Sequence, residues 1–279
     1  MSRSNEIPSL PPENEIAPNS PSFEIPMAKR PRHIAVIMDG NGRWAQQQSL
    51  PRVVGHQNGA ASVRKITEEC ARLQIRQLTL FCLSSENWKR PPEELDFLMH
   101  LLQEYLIQER ASLIKNNIRL RVIGRRDRLP AEVLDEIDKS LELTEKNDGL
   151  ILCLAINYGA RSEIVDAIRE IATEVKNGQL QVDNIEEATV SNHLYTQGMD
   201  DPDLLIRTAG EMRISNYLLW QISYAELWIT QKLWPEFGIK ELHEAIKSFA
   251  SRNRRFGGLT NEFEGSDQRV SAENEVEEC

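Results

Sequence analysis

Short apolar runs recur along the chain at positions 33–38, 77–83, 118–123, 150–156 and 204–206, with a weaker one at 227–230. Several are rich in branched residues, and their near-continuous apolarity predicts strands covered on both faces. Between them the spacing changes to threes and fours. Val63, Ile66, Cys70 and Leu73 make one such stripe, and Ile164, Ile168, Ile171 and Val175 another, the pattern of helices with one buried side. Pro91-Pro92 opens a longer helical segment carrying Leu95, Leu98, Met99, Leu102, Tyr105 and Leu106. Pro130 suits a first turn ahead of Val133, Leu134, Ile137 and Leu141, and Leu242, Ala245, Ile246 and Phe249 mark a last helix. Strands alternating with helices predict a single α/β domain, a mostly parallel β-sheet surrounded by helices, over about residues 28–259.

Composition narrows the picture. An apolar share of 40% supports a core, and no run approaches the roughly 18 apolar residues that a bilayer span needs. Residues 1–27, rich in Pro, Ser, Asn and Glu, read as a disordered lead. Residues 260–279 read as an acidic disordered tail, with Glu262, Glu264, Asp267, Glu273, Glu275, Glu277 and Glu278 against Arg269, a net of −6 out of −10 for the chain. The acidic total argues against nonspecific nucleic-acid binding. Cys70, Cys82, Cys153 and Cys279 show neither paired nor metal-ligand spacing, which fits a reducing, cytoplasmic setting.

In parallel sheets ligands gather beyond the carboxyl ends of the strands. Three polar clusters sit there: 39–44, 84–90 and 207–215. In Asp39-Gly40-Asn41-Gly42-Arg43-Trp44, two glycines allow a tight turn with exposed N–H groups beside a guanidinium, an anion cradle suited to a diphosphate. A carboxylate among such donors calls for a bridging cation, and Mg²⁺ needs few protein ligands. Taken alone, the tetrapeptide is also what an ordinary Asp-Gly/Asn-Gly turn looks like. Arg52 and His56, with Gly55 and Gly59 nearby, stand just before a predicted helix and suit the same phosphate. Arg207-Thr208-Ala209-Gly210-Glu211-Met212-Arg213-Ile214-Ser215 forms a second cationic clamp, and two clamps imply two phosphorylated substrates. Ser84-Ser85-Glu86-Asn87-Trp88-Lys89-Arg90 lies between them in sequence, and Glu226 is an ion-pair partner for the arginines or a second metal ligand. Trp44 and Trp88 fit packing as well as they fit a site.

Together with 33–45, Gly55-His56, Asn157-Tyr158-Gly159, Asn216, 218–221 and 254–258, these segments closely resemble the cis-prenyltransferase family, and within it the bacterial undecaprenyl diphosphate synthases. The resemblance runs in order from about residue 31 to 259. It implies an elongated apolar tunnel, a homodimer, and sequential Z condensation of isopentenyl diphosphate onto an allylic diphosphate such as farnesyl diphosphate. The implied product is undecaprenyl diphosphate, the lipid-carrier precursor for cell-wall polysaccharide, with transient membrane-surface contact for its release.

By position, the resemblance makes Asp39 and Glu226 the Mg²⁺ ligands, and Asp39 and Asn87 the catalytic pair. Gly40, Asn41, Gly42, Arg43, Trp44, Arg52 and His56 would hold the allylic diphosphate. Ser84, Ser85, Glu86, Trp88 and Arg90 would line the reacting centre, and Arg207, Arg213, Ile214 and Ser215 would hold isopentenyl diphosphate. Asn87 occupies the proton-acceptor position, although a neutral amide is a feeble base. Leu150 stands at the tunnel floor, and Arg255-Phe256-Gly257 resembles the motif that reaches a partner's site.

The chain departs from the family pattern at Ala209, where glycine is common, and at Met212, where histidine is common. The first change reads as an added methyl, the second as the loss of a polar group near the metal. One rival is a non-catalytic partner subunit of a heteromeric enzyme, but such subunits lose the arginines and aspartate that this chain keeps. A trans-prenyltransferase would need D-D-x-x-D, which Asp200-Asp201-Pro202-Asp203 misses. A nucleotide-binding enzyme would need a Walker loop or a third glycine after Gly40 and Gly42.

Overall fold

The computed structural model describes residues 24–252, and the segments 254–258 and 260–279 singled out above lie outside them. Six strands form one sheet: β1 (His33–Ile37), β2 (Gln77–Phe81), β3 (Arg119–Ile123), β4 (Ile151–Ala155), β5 (Leu204–Arg207) and β6 (Glu226–Ile229). The order is β3-β4-β2-β1-β5-β6, and every pairing is parallel. Each apolar run became a strand: the first four with their ends trimmed by one or two residues, and the last shifted back by one to begin at Glu226. The fifth run extends to Arg207, so that arginine is delivered by the strand itself.

The helices are α1 (Asn41–Gln47), α2 (Arg52–Arg72), α3 (Pro92–Lys115), α4 (Ala131–Thr144), α5 (Ala160–Lys176), α6 (Glu187–His193) and α7 (Ile239–Ala250). Pro92 and Pro130 stand at the start of α3 and α4, where a missing N–H costs nothing. The short α1 and α6 carry no apolar stripe long enough to be seen in sequence.

Strand alternation divides the apolar residues between two faces. On one face Ile34, Val36, Leu78, Leu80, Leu152, Leu154, Leu204 and Ile206 pack with residues of α2, α3, α4 and α7. On the other, Ala35, Ile37, Cys153, Ala155 and Leu205 pack against Tyr158, Tyr217 and Leu218. Ile25 also packs against the first cluster, ahead of the position taken as the start of the folded domain.

The three central strands, β2, β1 and β5, are neighbours, so the loops leaving their carboxyl ends must also be neighbours. Glycines set how closely the first of these loops packs. A Cβ on Gly55 would stand 2.0 Å from the carbonyl oxygen of Asn41, and one on Gly59 would stand 2.5 Å from Asn41 Oδ1. Only glycine at both positions lets α1 press its first turn onto α2.

His33 anchors the opposite end of the sheet. Its Nδ1 lies 2.7 Å from the carbonyl oxygen of Asp200, which can only accept, so Nδ1 carries the proton. Nε2 then accepts from the Thr79 hydroxyl at 2.7 Å. Burial, opposed by the Asp200 carbonyl and the nearby acids, pushes the ring down to about 4. Below about pH 6.5 the unfolded chain therefore binds a proton that the folded chain refuses, and stability falls as pH drops from there toward 4. His33 alone should account for a loss of about 2–3 kcal/mol between about pH 7 and 4.5. Urea melts should show a correspondingly shallower loss for His33→Gln.

Candidate active site

Asp39, two residues beyond β1, is the centre of the site. Its Oδ2 accepts from Arg207 Nη2 at 2.9 Å, and Oδ1 lies 3.3 Å from Arg43 Nη2. The two cationic clusters inferred from sequence thus meet on one carboxylate. Burial by itself would raise the Asp39 carboxyl, but the hydrogen bond and charge of Arg207, followed by Arg43, outweigh it and hold the group below the usual carboxylate range. The Asp39 N–H donates to Thr208 Oγ1 at 2.8 Å, and that hydroxyl donates to the Asp39 carbonyl at 2.6 Å. Thr208 therefore locks the end of β1 to the end of β5.

The segment expected to form a turn is in fact the start of a helix. Gly40 adopts φ +105° as the N-cap, and α1 begins at Asn41. Arg43 points back across the site, with Nη1 3.1 Å from the Ala209 carbonyl and 3.2 Å from Glu211 Oε1. Trp44 is half-buried on the same helix. A Cβ on Gly42 would lie 2.8 Å from the Arg52 guanidinium, so Arg52 rests against the bare backbone of α1.

Glu94, at the start of α3, gathers the remaining cations. Arg90 Nη1 donates to Glu94 Oε1 at 3.0 Å, and Arg52 Nε lies 3.6 Å from Oε2. His56 Nε2 stands 3.7 Å from Oε1, too far for a hydrogen bond. Burial and the adjacent Arg90 push His56 down to about 4, so it is neutral at pH 7 despite the carboxylate. Asn41 and His56 mark one end of an apolar cavity of about 110 Å³ whose wall includes Leu98, Leu102, Tyr105 and Leu154.

The loop after β2 forms a 3₁₀ turn over Ser85–Lys89. Asn87 Oδ1 accepts the Ser84 N–H at 3.1 Å, which spends the amide oxygen on shaping the loop. Ser85 N–H donates to the Tyr158 carbonyl at 2.8 Å, and Glu86 Oε1 accepts from Asn216 Nδ2 at 2.9 Å. Trp88 donates through Nε1 to Asn157 Oδ1 at 2.7 Å, with the Arg128 guanidinium 5.0 Å from its ring centre.

In the third loop, Arg207 Nη1 donates to Ser215 Oγ at 2.8 Å and to the Arg213 carbonyl. The Arg213 side chain is exposed and paired with Glu211, while Ile214 packs against the second apolar cluster. Glu163 of α5 braces this region from beneath. It is fully buried, accepts from Tyr158 OH at 2.5 Å and from the Tyr195 N–H at 3.0 Å, and lies 3.2 Å from Gln221 Nε2. Burial, against these donors, raises its carboxyl.

At three positions the structure adds geometry that the sequence did not show. Glu226 does not reach Asp39 within one chain. It opens β6 level with Leu204, which is itself level with Ile34, whereas Asp39 lies past the far end of β1. Five residue steps put the two acids on the order of 15 Å apart along the strands alone. Glu226 Oε2 instead accepts from Arg252 Nη1 at 2.6 Å. Met212 is 86% exposed, so its side chain faces solvent. Ala209 does more than add a methyl, because its φ of +68° lies in the left-handed region. Glu94, Thr208, Glu211, Asn157, Asn216, Arg128 and Glu163 were not singled out as site residues. Thr208, Glu211, Asn157 and Asn216 lie inside motifs already quoted; Glu94, Arg128 and Glu163 offered no such signal.

The model of the prenyltransferase family described as "Putative undecaprenyl diphosphate synthase" matches residues 37–257. The chain belongs to this family. Among relatives of this prenyltransferase, the isoprenyl transferase of Rhodopirellula baltica is 56% identical over 229 residues, 82% of this chain and 94% of the relative. That of Geobacter sulfurreducens is 50% identical over 229 residues, with 82% and 93% covered. Among solved structures, lavandulyl diphosphate synthase from Lavandula x intermedia, in complex with dimethylallyl diphosphate, matches with TM-score 0.81 and 38% identity over 82% of this chain and 99% of that one. A probable undecaprenyl diphosphate synthase from Campylobacter jejuni matches with TM-score 0.67 and 37% identity, covering 81% and 98%.

The Ala209 backbone gives a direct test. Left-handed geometry costs an L residue roughly 1–2 kcal/mol, and glycine returns about 0.5–1 kcal/mol of that through its freer unfolded chain. Ala209→Gly should therefore raise stability by roughly 0.5 kcal/mol or more, measured by denaturant unfolding.

Proposed function

We propose that this prenyltransferase extends an allylic diphosphate with isopentenyl diphosphate units in the Z configuration, and that its product is undecaprenyl diphosphate. The observation that supports this reading best is the Asp39 carboxylate held between Arg43 and Arg207, with its near neighbours Met38 and Asn41 lining an apolar cavity. Cations on either side of one acid suit two diphosphates brought end to end, and the cavity suits the hydrocarbon of one of them.

Three buried polar atoms here have no hydrogen-bond partner among the described residues: Asn41 Oδ1 and His56 Nε2 on the cavity wall, and Nε of Arg207, which binds Asp39. Buried polar atoms are ordinarily satisfied, so three together fit a polar ligand. Arg43, Arg52, Arg90 and neutral His56 bind the allylic diphosphate, with Asn41 beside them. Arg207 and Ser215 hold isopentenyl diphosphate, and Arg213 adds charge from the rim. Trp88, fixed at its edge by Asn157 and covered on its face by Arg128, limits water at the reacting carbons.

The donor set also fits Mg²⁺. No group of three or more His, Cys, Asp or Glu forms a cage among the described residues, and Mg²⁺ characteristically takes one or two carboxylates together with substrate phosphates. Asp39, kept ionised by its arginines, is the residue that would hold it. When bound, the ion neutralises charge developing on the leaving diphosphate. The chain's own contribution is orientation: the two clamps turn a bimolecular encounter into an aligned one. Asn87 shapes the loop at the reacting centre, and its engaged oxygen leaves a phosphate oxygen of the bound substrate to accept the proton.

The growing hydrocarbon enters the cavity and leaves water at about 0.8 kcal/mol per CH₂. Leu154 lines that cavity, and Leu150 lies on the same sheet face two pleats closer to the opposite end of β4. That position suits a floor. No described helix is long and apolar enough to cross a membrane, and we place the reaction in the cytoplasm, in a homodimer that touches the bilayer surface only to release product.

Asp39→Ala should lower the rate of chain elongation by on the order of 10²–10³ with an unchanged circular dichroism spectrum. An active variant would remove Asp39 from the chemistry. With farnesyl diphosphate and labelled isopentenyl diphosphate, Leu150→Ala should shift products on thin-layer chromatography to greater length. An unchanged distribution would remove the floor.

A further inference from the structure

At the end of the sheet remote from Asp39 the surface opens into a second, much larger recess of about 970 Å³. Its walls carry Lys29, Arg30, Arg32, Arg76 and Arg252, against one lining acid, Asp203. Two further acids lie within ion-pair reach of these cations. Asp200 is 3.3 Å from Arg32 and 3.5 Å from Arg76, and Glu226 binds Arg252. Among the described residues, five cations against these three acids leave the recess net positive by two, on a chain whose total charge is −10. Arg32 and Arg76 keep 64% and 60% of their side chains exposed, so both heads are open to a further anion.

The same chain carries a complementary segment. Residues 260–279 hold seven acids against one arginine, and the last described residue before them, Arg252, is itself part of the recess wall. We propose that this acidic C-terminal segment docks in the basic recess of its own chain.

Reach permits it: the ten residues from Arg252 to Glu262 span roughly 17 Å as a flexible coil, by square-root scaling. Tethering supplies millimolar-scale effective concentration, so individually weak surface ion pairs suffice. The recess is concave and its walls include Met27, Phe249 and the stems of the arginines, which suits a strand of chain better than a flat lipid surface. Because the charges are exposed, salt dissolves the contact once the screening length falls to a few ångströms.

The test uses the full chain and a Glu-specific protease, with rates normalised to a free peptide of sequence 260–279. Cleavage in the tail should be at least about fivefold slower at about 20 mM NaCl than at about 500 mM. In Arg32→Ser/Arg76→Ser the tail should be cleaved at the fast rate in both salts, with prenyl transfer unchanged. Lys29→Glu, an exposed position, gives the same readout with no demand on folding and should recover part of the fast rate. Equal normalised cleavage in wild type and in both variants overturns the docking. So does a result in which the arginine variant loses binding to phosphatidylglycerol vesicles while tail cleavage stays unchanged, because the recess then serves a lipid surface.

Discussion

Everything in the loops beyond the carboxyl ends of β1 and β5 hangs on one carboxylate and its two guanidiniums. Asp39 joins α1, through Arg43, to β5, through Arg207, and the Thr208 hydroxyl repeats the link through the backbone. The arrangement explains why a half-buried acid stays ionised: the arginines outweigh the cost of its burial. It also means that neither clamp is an independent module. A change at Asp39 frees Arg43 and Arg207 together, because each is braced against one of its two oxygens.

The fold around that link was largely legible in the chain, for a reason that can be seen residue by residue. Strands such as 33–37 and 151–155 are buried on both faces, so they appear as near-continuous apolar runs whose shortness and branched residues mark them as strands rather than helices. Long helices declared themselves by Pro92 and Pro130 at their starts and by stripes such as Leu242, Ala245, Ile246 and Phe249. The helix α1 gave no such signal. Seven residues containing a glycine read as a turn, and the reason they are helical lies in α2, where Gly55 and Gly59 make room for them.

The site was legible in its charges and less so in its counter-charges. Arginines placed after apolar strands stand out, but Glu94 does not, because acids at the start of a helix are expected from the helix dipole alone. Its role depends on Arg52, His56 and Arg90 arriving from other elements. Glu163 was hidden by the same logic, being one more acid in the first turn of α5 until the structure buries it against Tyr158 and Gln221. Glu226 is the reverse case: a positional likeness singled it out as a metal ligand, and strand register sets it at the other end of its own chain's sheet from Asp39, paired with Arg252.

The segment after β5 is built at a cost in backbone strain, with Ala209, Gly210, Ser215, Asn216 and Leu218 all at positive φ. Such a path survives only where anchors over-determine it, and here they are Arg207, Glu86 and the Lys232 carbonyl. A stretch pinned at so many points behaves as an anvil, with little slack of its own. What room there is lies instead where α2 and α3 meet around a small void filled by no side chain.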